Sequence, residues 1–189
     1  QQNQSKMSKK IYLDYQATTP VDPKFLEKML PFFSVNFANP HSNNHQDGRS
    51  ANEVIEEARE NVANLINAHS SEIIFTSGAT ESNNLALKSI AKNYFENKCQ
   101  IISCKTEHKC VLESCHELEK EGFKVTYLDV DEEGLIKIDE LENILKKEKS
   151  LVSIMMANNE TGVIQDVKKI GELCKKYNSI FHSDIAQSI

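Results

Sequence analysis

The chain is predicted to be an α/β protein, a mostly parallel sheet flanked by helices, and three observations carry that prediction. From about residue 72 onward, short apolar runs alternate with longer stretches whose apolar residues recur at helical spacing. The short runs, such as Ile101-Ile102 and Leu151-Val152, are continuously apolar, as in strands covered on both faces. Polar residues cluster directly after these runs, where a parallel sheet gathers its ligands.

Taken in order, residues 1–10 read as a disordered leader, Gln1 to Lys6 being polar and unpatterned. Residues 11–22 form an N-terminal segment in which Ile11 to Tyr15 runs into the turn Ala17-Thr18-Thr19-Pro20. Residues 23–68 hold the N-terminal helices and a loop. Asp22-Pro23 is a cap followed by proline at the first helical position, and Phe25, Leu26, Met29 and Leu30 share one face of a helix expected to stop near Pro31. Asn36 to Gly48, with His41 and His45, is turn-forming throughout and reads as a loop. An amphipathic helix follows, with Ala51, Val54, Ile55, Ala58, Val62, Leu65 and Ile66 on one face.

Residues 69–189 carry the alternation. Strand 72–76 leads to helix 80–96, strand 100–103 to helix 109–121, and strand 124–128 to a turn at Asp131-Glu132-Glu133-Gly134. Helix 139–147, strand 151–155, helix 166–177 and a strand starting at Ile180-Phe181-His182 complete the pattern.

The formal net charge of -6, without a dense basic cluster, argues against a nucleic-acid partner. No apolar run approaches the roughly 20 residues of a membrane-spanning helix, and no signal peptide is visible, so no membrane partner is expected. The five cysteines are an odd number without a CxxC pair, which suggests a reducing compartment. Cys104, His108 and Cys110 match no standard zinc spacing, and no metal is expected. The chain starts without Met and stops at Ser188-Ile189 just after an apparent strand, as a fragment would.

Thr76-Ser77-Gly78-Ala79-Thr80-Glu81 joins an apolar run to a helix start. It reads in two ways: as an ordinary cap with Ser77 or Thr80 at the N-cap and Glu81 in the first turn, or as an anion seat built from free amides, the helix dipole and Gly78. Later strand ends offer Thr106-Glu107-His108-Lys109, Asn158-Asn159-Glu160, and Asp184 with Gln187. Singly, His108 reads as a surface or capping histidine, Asp184 as a turn acid and Asn158-Asn159 as a turn. Jointly they supply what pyridoxal 5'-phosphate needs: a phosphate seat, a ring to stack, and an acid to keep the pyridine nitrogen protonated.

The chain also resembles a family. Tyr12 to Pro20, Asn39-Pro40-His41-Ser42, Ile74 to Asn84, Thr106-Glu107-His108-Lys109, Asn158 to Val163 and His182 to Ser188 are similar to stretches of the cysteine desulfurases, class V aminotransferase-type enzymes of the housekeeping branch. The resemblance implies the fold type I large domain of PLP-dependent transferases, incomplete at its C-terminus. It makes Ala79 and Thr80 part of the phosphate seat, His108 the stacking ring and catalytic residue, Asp184 the pyridinium partner, Gln187 the ligand of the phenolic oxygen, and Asn159 an amide near the substrate carboxylate. The reaction it implies takes sulfur from L-cysteine, leaves L-alanine and passes an enzyme persulfide to an iron-sulfur scaffold protein. A homodimer, in the mitochondrial matrix or bacterial cytoplasm, is implied as well.

The departures concern the reacting groups. The Schiff-base lysine of the family lies in a Ser-Gly-His-Lys segment that this chain does not contain, and none of its cysteines lies in a segment like the family's nucleophile loop. Cys104 and Cys110, flanking His108, read as packing thiols. Asn43-Asn44-His45 replaces a more basic loop pattern. Another fold type I enzyme, such as a selenocysteine lyase or an aminotransferase, and an inactive interaction fragment are the alternative readings.

Overall fold

The structure, a computed structural model, describes residues 11–95 and 99–188. The leader expected over 1–10 and the last residue of the expected 80–96 helix lie outside the described residues. The chain divides into two compact units, Gln1–Phe75 and Thr76–Ile189.

In the first unit, helix α1 (Pro23–Ser34) begins where the sequence requires, with Asp22 Oδ1 accepting from the Lys24 amide at 2.7 Å. It does not stop at Pro31. Proline forfeits one helical hydrogen bond, but its carbonyl still accepts from the Val35 and Asn36 amides, both at 2.8 Å, so the helix runs on for another turn. Helix α2 (Gln46–Leu65) starts inside the segment expected to be a loop, because His45 Nδ1 accepts from the Gly48 amide at 3.1 Å and caps it. Gly48 packs so closely on the preceding loop that a Cβ would collide with the Ser42 carbonyl oxygen. Gly48→Ala is therefore expected to cost about 1–3 kcal/mol, read as a lower denaturation midpoint at unchanged slope in the full-length protein.

The apolar faces of these helices lie open. No residue of α1 is buried, and Phe25 and Leu65 are 66% and 73% exposed, despite patterns that read as amphipathic. The strand expected over 72–76 is also not formed. Ser70–Glu72 make a 3-10 turn, and residues 73–76 continue without pairing to any strand among the described residues. An extended run becomes a strand only when a neighbour takes its backbone groups.

The second unit follows the predicted alternation. Helix α3 (Ala79–Asn93), strand β1 (Gln100–Cys104), helix α4 (Lys109–Lys120), strand β2 (Lys124–Leu128), helix α5 (Ile138–Leu145), strand β3 (Ser150–Ser153), helix α6 (Val167–Lys176) and strand β4 (Ile180–His182) succeed one another. The four strands form one parallel sheet in the order β2-β1-β3-β4.

Alternation along the strands divides the core between the two faces. Ile101 and Leu151 pack with Leu87, Val111, Cys115 and Leu118 from α3 and α4. Their neighbours Ile102 and Val152 pack on the opposite face with Leu141, Leu145, Ile170 and Cys174 from α5 and α6. All five cysteines are buried and free.

The strand order also locates a crevice. From β1 the chain moves outward to β2, whereas from β3 it moves the other way to β4, and β1 and β3 are neighbours. The connections thus part at the carboxyl ends of β1 and β3, which is where open α/β sheets bind ligands.

Candidate functional site

At this edge, each strand delivers one or two polar residues. β1 ends at Cys104, a tight turn closes with the Glu107 amide donating to the Cys104 carbonyl at 3.2 Å, and His108 becomes the N-cap of α4. The His108 Nδ1 accepts from the Cys110 amide at 3.3 Å, so the capping reading of this histidine is realised in the structure. The ring itself is exposed.

Pairing between β3 and β4 continues beyond the strands proper. The Ile154 amide donates to the His182 carbonyl at 3.2 Å and the Met156 amide to the Asp184 carbonyl at 3.0 Å, which fixes Asp184 beside the end of β3. Asp184 is buried, and its carboxylate accepts from Asn83 Nδ2 at 2.7 Å and from the Ala186 amide at 3.0 Å. Gln187 lies exposed in the turn that follows, closed by the Ser188 amide on the Ile185 carbonyl at 2.8 Å.

Asn83 was not among the residues singled out in the sequence. It sits one turn after Ala79 and Thr80, on the face they share, and its bond to Asp184 sets the first turn of α3 at the end of β4. The helical spacing from Ala79 and Thr80 was the available signal. Asn83 Nδ2 also donates to Cys110 Sγ at 3.2 Å, and Cys110 Sγ lies 3.0 Å from His108 Nδ1. Asp184, Asn83, Cys110 and His108 thus form one hydrogen-bonded chain across three elements.

The N-terminus of α3 departs from the capping alternative of the sequence. Its N-cap is Gly78, which offers no side-chain hydrogen bond, rather than Ser77 or Thr80. Ser77 is engaged elsewhere: its amide and hydroxyl both donate to Glu81 Oε2, at 2.7 and 2.6 Å. These bonds, the hydroxyl's first, hold the Glu81 carboxyl below its ordinary range. Gly78 has φ 157° and ψ 179°, a region of positive φ essentially reserved for glycine. The first turn of α3, with Ala79 and Thr80 exposed, keeps amides directed outward without a side-chain cap.

Asn158 and Asn159 divide their work. Asn158 is the turn asparagine: its Oδ1 accepts from the Glu160 and Thr161 amides at 2.9 and 2.8 Å, and its Nδ2 donates to the Thr106 carbonyl at 2.7 Å. This ties the loop after β3 to the turn after β1. Asn159, half-buried, follows on the same loop.

Two further groups at this edge stand in the quoted stretches but were given no role in the sequence. Glu107 fills the crevice between β1 and β3, with Oε1 accepting from the Met155 amide at 2.7 Å and Oε2 buried without a partner among the described residues. Burial raises its carboxyl to about 8; the Met155 bond opposes the shift and the Asp184 charge adds to it. A cavity of about 290 Å³, lined among others by Thr106, Glu107, Met155 and Asn158, opens beside it. His182 Nδ1 meets Ser153 Oγ at 2.9 Å, and burial lowers its imidazole from the ordinary value, the Asp184 charge opposing the change.

The aminotransferase class-V family profile matches residues 11–189. The chain belongs to the aminotransferase class-V family. It is 53% identical over 183 residues to a protein named cysteine desulfurase IscS of Rickettsia massiliae (strain Mtu5), covering 97% of this chain and 45% of that protein. It is 52% identical over 179 residues to a probable mitochondrial cysteine desulfurase of Dictyostelium discoideum, covering 95% of this chain and 40% of that one. Among solved structures, a NifS-like protein superposes with TM-score 0.87 at 44% identity, over 92% of this chain and 48% of the other. A structure titled SspA in complex with cysteine does so with TM-score 0.88 at 43% identity, over 94% and 51%. The sheet of Thr76–Ile189 is therefore part of the fold type I large domain, and the chain spans about half the length of the proteins it matches.

Proposed function

We propose that the full-length protein is a pyridoxal-phosphate-dependent cysteine desulfurase that supplies sulfur for iron-sulfur cluster assembly. The observation that carries this reading is the hydrogen bond from Asn83 to Asp184, which couples a buried acid at one strand end to an uncapped helix N-terminus suited to an anion. The names of the relatives and the cysteine of the SspA structure support L-cysteine as substrate.

The residues present fit the cofactor. The amides of Ala79 and Thr80, with the Thr80 hydroxyl, would hold the phosphate at the positive end of α3. Asp184 already accepts two hydrogen bonds, and a carboxylate has about four acceptor positions, so it can also take the N–H of a pyridinium. The exposed His108 ring would cover the cofactor ring, Gln187 would bond its phenolic oxygen, and Asn159 would meet the substrate carboxylate. When bound, pyridoxal phosphate supplies an electron sink for bond cleavage at the amino acid.

The chain's own contribution is binding and electrostatics. Asp184 would offer its carboxylate to the ring nitrogen, and Asn83 and the Ala186 amide hold that carboxylate in place. The tethering lysine and the thiolate that accepts sulfur belong to segments of the family pattern outside this sequence. A homodimer, an iron-sulfur scaffold as acceptor, and a mitochondrial or bacterial cytoplasmic setting form part of the same proposal; the Dictyostelium and Rickettsia relatives support the setting.

The test is chemical. The full-length protein with pyridoxal phosphate and L-cysteine is expected to yield alanine and, with a thiol reductant, sulfide in equal amounts. Transamination to a keto acid without sulfide release would point instead to an aminotransferase.

A further inference from the structure

The contact between Cys110 and His108 has the look of an activated nucleophile, a thiol and an imidazole within hydrogen-bond reach. Its surroundings give it a different role. His108 Nδ1 accepts the backbone N–H of Cys110 at 3.3 Å, and a ring nitrogen that accepts an amide hydrogen does not itself carry one. The hydrogen in the 3.0 Å contact between Cys110 Sγ and His108 Nδ1 therefore belongs to sulfur.

The other side of the sulfur is fixed too. Asn83 Nδ2 has two hydrogens, one donated to Asp184 Oδ2 at 2.7 Å and one to Cys110 Sγ at 3.2 Å. The carboxylate accepts only, which dictates the orientation of the Asn83 amide. Sulfur accepts from Asn83 and donates to His108, each hydrogen bond pointing the same way along the chain.

We infer that Cys110 is a positioning residue whose thiol, oriented by Asn83, holds the His108 ring as the tautomer with Nδ1 bare and the hydrogen on Nε2. The ring is then a fixed plane, and its one donor, Nε2–H, lies on the edge away from α4's first turn. The tautomer is tied through two residues to Asp184, so the acid and the ring are set by one network. The inference deepens the cofactor reading, which gives the ring its stacking role, yet it concerns the ring alone and can be tested without cofactor.

The experiment is magic-angle-spinning NMR of the full-length protein carrying ring-15N histidine, recorded without and with pyridoxal phosphate. The His108→Gln variant identifies the His108 signals. The wild type is expected to show one pair of His108 resonances, a bare Nδ1 and a protonated Nε2. Cys110→Ala removes the nearer donor and is expected to shift the tautomer ratio roughly 5-fold, so that a second pair appears. Cys110→Ser, which restores a donor, is expected to return the single pair. A protonated Nδ1 in the wild type overturns the inference, and so does a Cys110→Ala spectrum identical to the wild type, in which case the backbone amide alone sets the tautomer. Either result leaves the cofactor reading standing, because absorbance on adding pyridoxal phosphate reports that separately.

Discussion

Replacing Asp184 by asparagine in the full-length protein is expected to lower turnover of L-cysteine by about 10²–10³-fold, the range for removing one preorganised electrostatic group from a site. Asparagine preserves the shape of the side chain and keeps an oxygen to accept from Asn83 or from the Ala186 amide, the two bonds that hold Asp184. It cannot supply the negative charge that keeps a pyridine nitrogen protonated. Asp184→Ala is expected to lose at least as much and also to destabilise the fold, because the buried Asn83 amide loses its carboxylate acceptor and keeps only the weak one at Cys110 Sγ. Paired measurement of turnover and denaturation midpoint separates the two effects. Asp184→Asn with normal activity would remove the acid from the account.

Glu107→Gln should change stability more than chemistry, and in a pH-dependent way. The folded protein holds the Glu107 proton up to about 8, whereas the unfolded chain releases it near 4.5. Between those values, the native state binds more protons than the unfolded state, so stability falls as pH rises through this window and is level beyond it. The whole loss is on the order of 3–5 kcal/mol. Glutamine keeps an oxygen for the Met155 amide and carries no charge to bury. Denaturant titrations of the full-length protein at pH 5 and pH 8.5 are expected to show a marked drop in the wild type and a much smaller one in the variant. Equal drops would mean that Glu107 is ionised inside the folded protein at neutral pH.

Much of the second unit was legible in the sequence. The runs Ile101-Ile102 and Leu151-Val152 are apolar at consecutive positions because one residue faces α3 and α4 and the next faces α5 and α6. Polar residues directly after such strands fall at the carboxyl edge of the sheet, so the sequence placed His108, Asp184 and Asn159 at that edge, though not the burial of Asp184. What the sequence hid depends on pairing at a distance. Asn83 is an unremarkable helical asparagine until the bond to Asp184, 101 residues away in sequence, is formed. Glu107 is one polar residue among several after β1 until the Met155 amide, 48 residues on, draws it into the crevice. Ser77 was a natural capping residue, but the helix starts one residue later, with Gly78 at the N-cap and the Ser77 hydroxyl turned to Glu81.

The first unit was harder to read because local signals there do not carry the outcome. Residues 73–76 have the composition of a strand without a strand partner among the described residues, and a composition signal cannot register that. Pro31 was read as a stop, yet the carbonyl side of proline supports a helix as well as any other residue's does. His45, in a stretch rich in turn formers, proved to be the cap that begins α2.

The central claim is that the uncapped turn of α3 and the buried acid after β4 belong to one pyridoxal phosphate site. A crystal structure of the full-length protein grown with the cofactor tests it most directly. The phosphate is expected on the amides of Ala79 and Thr80, the His108 ring against one face of the cofactor, and the pyridine nitrogen within hydrogen-bond distance of Asp184. A cofactor seated elsewhere, with Asp184 bonded only to Asn83 and the Ala186 amide, would contradict it.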